Sequence, residues 1–297
     1  MRLGLFPGQG VAVRTVLDAL PAGDPLVEDA SDILCYDLRQ KVHRLAQRER
    51  AVMPTSLAQP AILTASVIGW RDRTEEVDLF LGHSVGEYAA LVAGGAMSFE
   101  HALCVVHVRG DAMHRAALGT GGGMVALLRL DLDQVEALAE GAGVLVANDN
   151  APGQVVVAGD EEHLVEAAAS ARSFGGRAVR LDVSGPFHTP AVASAAPLLH
   201  HALDHINIRS PRLPVISNVT AAPYRAPGEI RKALVTQVTS RVRFREALAW
   251  TWHAGAREWT DFGPGAVVDG LAKRTFRALT GQSTDEQSTD RQMAARV

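Results

Sequence analysis

The segment that most constrains this chain is Val77-Asp78-Leu79-Phe80-Leu81, running into Gly82-His83-Ser84-Val85-Gly86 and then Glu87-Tyr88-Ala89-Ala90-Leu91-Val92-Ala93. The compact apolar run suits a strand buried on both faces in a parallel sheet, and the stretch after Gly86 is helix-prone. Small residues at 82 and 86 allow the tight strand-to-helix turn of a G-x-S-x-G elbow, which lifts a serine oxygen off the sheet toward a pocket. The helix that follows brings free N–H groups and partial positive charge to that oxygen. A chain built around this turn is α/β with a parallel sheet, and Ser84 is its candidate nucleophile.

The same alternation of apolar strand and helical pattern runs through most of the chain. Leu3-Gly4-Leu5-Phe6 reads as a short buried strand entering the loop Pro7-Gly8-Gln9-Gly10, whose glycines admit close approach to the backbone. After a polar helical region, Gln59-Pro60 opens an apolar helix reaching about Trp70, with the proline in its first turn. From Gly121 the texture changes: strands over 124–130, 144–148, 154–158 and 177–183 alternate with helices over 132–140 and 160–174, a βαββαβ order. Residues 190–205, a strand at Leu213–Ser217, a helix through 228–255 and a closing strand at Glu258–Phe262 resume the larger α/β pattern. The expected architecture is an α/β-hydrolase-like main domain from 1–120 and 188–281, interrupted by a ferredoxin-like subdomain at 121–187. Residues 282–297 are polar and repetitive and read as a disordered tail.

Composition narrows the function classes. A chain of 297 residues with 47% hydrophobic residues can bury a large core. Its formal charge of −4 lacks the basic excess of a nucleic-acid binder. The apolar run before Pro7 is too short for a signal peptide, and no stretch approaches the roughly 18 apolar residues of a membrane span, so a cytoplasmic protein without membrane attachment is expected. No heptad pattern argues for assembly, and a monomer is expected. Cys35 and Cys104 lack zinc-type spacing, and Cys104, within Ala102-Leu103-Cys104-Val105-Val106, reads as a buried reduced thiol. Lys273, Arg274 and Arg277 read as a solvated helix face.

A serine nucleophile near neutral pH needs a base. His101, His107, His114, His200, His201 and His205 fall in helical segments where packing or exposure is the ordinary role. His201 and His205 stand four apart, but without an H-E-x-x-H pattern or a third ligand no metal site is expected. His188 differs: it lies in Ser184-Gly185-Pro186-Phe187-His188-Thr189-Pro190, a loop stiffened by two prolines where the inserted unit returns to the main domain. It is the candidate base.

Six segments in order, Phe6–Gly10, Gly82–Glu87, Val108–Met113, Asn150–Gly159, Gly185–His188 and Phe262–Gly265, closely resemble the motifs of the malonyl-CoA:acyl-carrier-protein transacylase family, over nearly all of residues 3–279. The resemblance implies a two-step exchange: a malonyl group passes from malonyl-CoA to Ser84 and then to the phosphopantetheine thiol of an acyl carrier protein, with no cofactor beyond the coenzyme A thioester. It makes His188 the base and assigns the oxyanion hole to the backbone N–H groups of Gln9 and Val85, donors that thioester attack requires in any case. It gives Arg109 the malonyl carboxylate, a task suited to a guanidinium's planar fork. Gln59, His83 and Phe187 are implied to line the substrate site, and a phenylalanine before the base resembles the malonyl-selecting form of the family. Fatty-acid synthesis, polyketide synthesis and malonate decarboxylation all remain open as settings.

Two departures from the family pattern stand out. Ser240-Arg241 replaces a common Asn-Pro near the carbonyl that orients the histidine, and Val11-Ala12 replaces Ser-Gln after the glycine loop, while the segment from Arg71 to Glu76 is short. Two other classes compete. A serine hydrolase with the same elbow needs an acid partner from among Asp111, Asp131, Asp133, Asp149, Asp160 and Asp182, and a non-catalytic carrier-docking protein has no need of Gln9, Ser84, Arg109 and His188 together.

Overall fold

The computed structural model describes residues 1–49 and 51–281, so the tail expected over 282–297 lies outside the described residues. Two four-stranded sheets organise the chain. The first is parallel, in the order β7 (Val215–Ile216), β2 (Leu79–Gly82), β1 (Arg2–Phe6), β8 (Glu258–Asp261). β1 and β2 sit at its centre and are wholly apolar apart from glycine and Arg2, as strands covered on both faces must be. The second sheet is antiparallel, in the order β4 (Leu145–Ala151), β5 (Gln154–Asp160), β3 (Gly122–Leu128), β6 (Arg177–Arg180). Helices Leu132–Ala142 and Glu161–Ser173 connect its strands and cover one face.

Val242, outside both sheets, bridges to the edge strand β4 of the antiparallel sheet. Its N–H donates to Ala147 O at 2.9 Å, and its carbonyl accepts from Asp149 N at 2.9 Å. Beside this bridge the Arg245 Nε stands 2.9 Å from Oδ1 of a fully buried Asp149 side chain. Burial pushes the Asp149 carboxyl up despite that arginine.

The elbow forms because nothing larger than hydrogen fits at its two glycines. A Cβ on Gly82 would lie 2.0 Å from the Gly86 carbonyl carbon, and one on Gly86 would lie 2.4 Å from Phe6 O. Ser84 between them takes a left-handed φ of 50°, a strained conformation for a residue with a side chain.

Several local expectations are corrected. The helix expected to open at Gln59-Pro60 spans Thr55–Arg71, so Pro60 lies in its interior and Gln59 on a full turn of helix, both buried. The helix expected through 228–255 is two helices, Pro227–Gln237 and Phe244–His253, because Val238–Arg243 turns away to make the Val242 bridge. The strand expected at Leu213–Ser217 shrinks to Val215–Ile216. Cys104 is exposed rather than buried: it points outward from helix Phe99–Leu118, whose neighbouring Leu103, Val105 and Val106 face the core. A helix at Val267–Leu279 carries Lys273 and Arg277, and Lys273 pairs with Asp269 at 2.7 Å. No helix of the described residues is long and apolar enough to cross a membrane.

Candidate active site

Ser84, at the C-terminal end of β2, opens into a cleft of about 350 Å³ between the two sheets. The Pro7–Gly10 loop and His188 line one part of it, and Asn148, Asn150 and Gln154 of the antiparallel sheet line another. Each catalytic candidate arrives from a different element, and the fold brings them to one point.

Ser84 Oγ lies 2.8 Å from His188 Nε2. His188 is held in a left-handed conformation, φ 63°, by the Pro186–Pro190 loop, where Thr189 Oγ1 donates to Pro186 O at 2.6 Å. Its Nδ1 donates to the main-chain oxygen of Gln237 at 2.8 Å, which fixes the tautomer with Nε2 free to accept the serine proton. Gln237 is the last residue of its helix, and the final carbonyls of a helix have no intrahelical donor. The break in the expected long helix thus supplies the acceptor. None of the six aspartates that a hydrolase triad would draw on holds His188; a neutral carbonyl does, and it lies three residues before the Ser240-Arg241 departure. The position is intact despite that departure: Arg241 pairs outward with Glu136.

Burial, and then the nearby Arg109 charge, push the His188 imidazole down to about 3, with the Gln237 carbonyl pulling the other way. The ring is therefore neutral near pH 7, the form a general base requires.

Arg109 is fully buried, an unusual place for a guanidinium. Its Nη1 donates to Gln59 Oε1 at 2.5 Å, and its Nη2 to Gln237 Oε1 at 2.8 Å and to Ser84 Oγ at 3.3 Å, while Nε has no partner among the described residues. The close packing of helices Thr55–Arg71 and Phe99–Leu118 makes the Gln59 contact possible: a Cβ on Gly110 would stand 3.1 Å from Thr55 O. Gln59 is oriented in turn by its own Nε2, which donates to Thr55 Oγ1 at 2.9 Å.

His83 and Phe187 also border the cleft. One ring nitrogen of His83 is 2.8 Å from Asn150 Oδ1, its ring stands edge-on to Phe244, and burial pushes its pKa down. Phe187 is packed into the main core immediately before His188. Gln9 borders the cleft from the glycine loop, and the backbone N–H groups of Gln9 and Val85 donate to no group among the described residues.

Sequence reasoning missed a second ring of residues. Asn218 Oδ1 accepts from Ser84 N at 2.7 Å, and Asn218 Nδ2 donates to Gly82 O at 2.6 Å, pinning the elbow from outside. Glu87, Tyr224 and Gln237 complete a buried network behind Ser84. Glu87 sits inside a motif whose distinctive member is the serine; Asn218 and Gln237 lie in segments without any distinctive spacing.

The acyl transferase domain family model matches residues 6–289. The malonyl CoA-acyl carrier protein transacylase of Bacillus subtilis is 34% identical over 96% of this chain and 93% of its own. Among solved structures, the malonyl CoA-acyl carrier protein transacylase of Coxiella burnetii aligns with TM-score 0.86 and 34% identity, covering 93% of this chain and 92% of the other. A malonyl-transacylase, PlMCAT, solved in complex with AntF, a type II PKS acyl-carrier protein, aligns with TM-score 0.83 and 32% identity over 93% of each chain.

Proposed function

The chain belongs to the acyl transferase domain family, among its malonyl-CoA:acyl-carrier-protein transacylases, and from that premise we propose how its residues move a malonyl group from coenzyme A to an acyl carrier protein. One observation carries the assignment of roles: Ser84 Oγ stands between a base at 2.8 Å and a buried guanidinium at 3.3 Å. A hydrolase needs the first contact only. A carboxylate-bearing acyl group gives the second its purpose.

Ser84 Oγ attacks the thioester carbonyl carbon while His188 Nε2 takes its proton. The carbonyl oxygen becomes an oxyanion that the backbone N–H groups of Val85 and Gln9 receive, each such donor being worth about 2.7–4 kcal/mol in a transition state. Collapse breaks the C–S bond, and His188 returns the proton to the departing coenzyme A sulfur. The phosphopantetheine thiol of the carrier then repeats the sequence in reverse on the malonyl-serine ester, giving ping-pong kinetics. Arg109 binds the malonyl carboxylate, and that anion offsets part of the positive charge that weakens His188, so the base strengthens as the correct acyl group seats. Gln59 aims Arg109, His83 shapes the wall beside the elbow, and Phe187 restricts space for a branched acyl group. These steps need no cofactor beyond the thioester.

The antiparallel sheet, with its two connecting helices, supports reading 121–187 as a ferredoxin-like subdomain inserted into an α/β-hydrolase-like domain formed by 1–120 and 188–281. The protein would act as a cytoplasmic monomer, in fatty-acid or polyketide synthesis.

The test loads the protein with malonyl-CoA, removes free nucleotide and then adds a holo acyl carrier protein. Malonyl appearing on the carrier, from an ester that persists without it, is expected. Release of malonate at the same rate with or without carrier would make the protein a hydrolase.

A further inference from the structure

Glu87 lies one turn past the start of the elbow and is 1% exposed, with no basic side chain in ion-pair contact among the described residues. Every group aimed at its carboxylate is a donor. The Tyr224 hydroxyl donates to Oε1, Gln237 Nε2 to Oε2 at 2.5 Å, and the Asn218 backbone N–H is 3.3 Å from both oxygens. Burial pushes this carboxyl up to about 7, and those three donors and the Arg109 charge oppose the shift.

The Gln237 amide is the link to the site. Arg109 can only donate, so it takes Oε1; the Glu87 oxygen facing the amide accepts, so it takes Nε2. Between them the amide is locked in one of its two orientations. A direct Glu87–Arg109 pair would neutralise the guanidinium just as well, but it would occupy the fork that a substrate carboxylate needs. Interposing an amide keeps the counter-charge one residue away and leaves Arg109 with only neutral partners, Gln59, Gln237 and Ser84. Removing the anion would leave a buried cation with less compensation and take from Gln237 Nε2 its shortest contact, leaving only Ser84 O at 3.3 Å and Asn218 Oδ1 at 3.4 Å to hold the amide.

We propose that Glu87 is a positioning residue whose carboxylate, acting through the Gln237 amide, aims Arg109 and so sets the preference for acyl groups that end in a free carboxylate. The proposal rests on the reading that Arg109 receives the malonyl carboxylate. It is tested by the rates of Ser84 acylation from malonyl-CoA and acetyl-CoA, followed by intact-protein mass spectrometry, in the native protein and in Arg109→Ala, Glu87→Gln, Glu87→Asp and Tyr224→Phe.

Glu87→Gln is expected to lower malonyl loading about tenfold more than acetyl loading, mostly through the malonyl KM, the size expected for one charge-assisted hydrogen bond. Glu87→Asp and Tyr224→Phe should shift the ratio less and in the same direction. If Arg109→Ala lowers the malonyl-to-acetyl ratio while Glu87→Gln leaves it at the native value, or lowers both rates equally, the positioning role is wrong. Should Glu87→Gln not fold, an unchanged ratio in both Glu87→Asp and Tyr224→Phe overturns the role equally. If Arg109→Ala itself leaves the ratio unchanged, the reading of Arg109 fails first and takes the proposal with it.

Discussion

His188 makes this protein's stability depend on pH on the acid side, as does buried His83, whose pKa is also pushed down. An imidazole ordinarily titrates near 6.5, and in the folded protein that of His188 is held down to about 3. Below pH 6.5 the unfolded chain binds a proton that the folded one refuses, so stability is lost as pH falls from 6.5 toward 3; at pH 5 the loss is about 2 kcal/mol. Comparing melting of the native protein with His188→Gln at pH 7 and pH 5 isolates this contribution: the native protein should lose more on acidification, and equal losses would mean that the imidazole is not held neutral. At this scale Ser84 and His188 stood out from their own local sequence as candidates and Arg109 through the family resemblance, and the structure places all three together. Gln237 did not stand out, since it works through a main-chain oxygen and an amide whose partners are 128 and 150 residues away in the chain, Arg109 and Glu87.

At the scale of elements, the elbow is a steric device. Gly86→Ala would press a methyl group onto Phe6 O at 2.4 Å and Pro7 O at 2.6 Å, backbone atoms that also carry the glycine loop. A loss of about 3 kcal/mol in denaturant unfolding is expected, because fixed backbone relieves overpacking poorly. Wild-type stability in this variant would mean that the loop and the elbow do not meet as described. Strand and helix identities around the elbow were readable from periodicity, as were the alternating elements between 121 and 183. The break after Gln237 was not, since Val238–Arg243 leaves a helical pattern in order to pair with Ala147 and Asp149, a tertiary contact with no local signature. Pro60 misled for a related reason: Thr55–Arg71 is so deeply packed that a proline inside it is tolerated.

For the molecule as a whole, the cleft lies between the two sheets, and the Val242 bridge with Asp149 and Arg245 ties the antiparallel sheet to the segment entering helix Phe244–His253. Arg245→Leu leaves the Asp149 carboxylate buried and unpaired, at an expected cost of about 2–3 kcal/mol, reduced from that of a fully buried pair because Arg245 is one-third exposed. The double variant with Asp149→Asn should recover part of that stability in thermal unfolding; an additive loss would show that the two residues act separately.

The proposed function turns on one event, transfer of a malonyl group onto Ser84. Intact-protein mass spectrometry after brief exposure to malonyl-CoA, on the native chain and on Ser84→Ala, observes that event itself. A malonyl mass gain in the native protein that is absent from Ser84→Ala is expected; a gain that survives in Ser84→Ala, or none in either, would mean that Ser84 is not the residue that carries the acyl group.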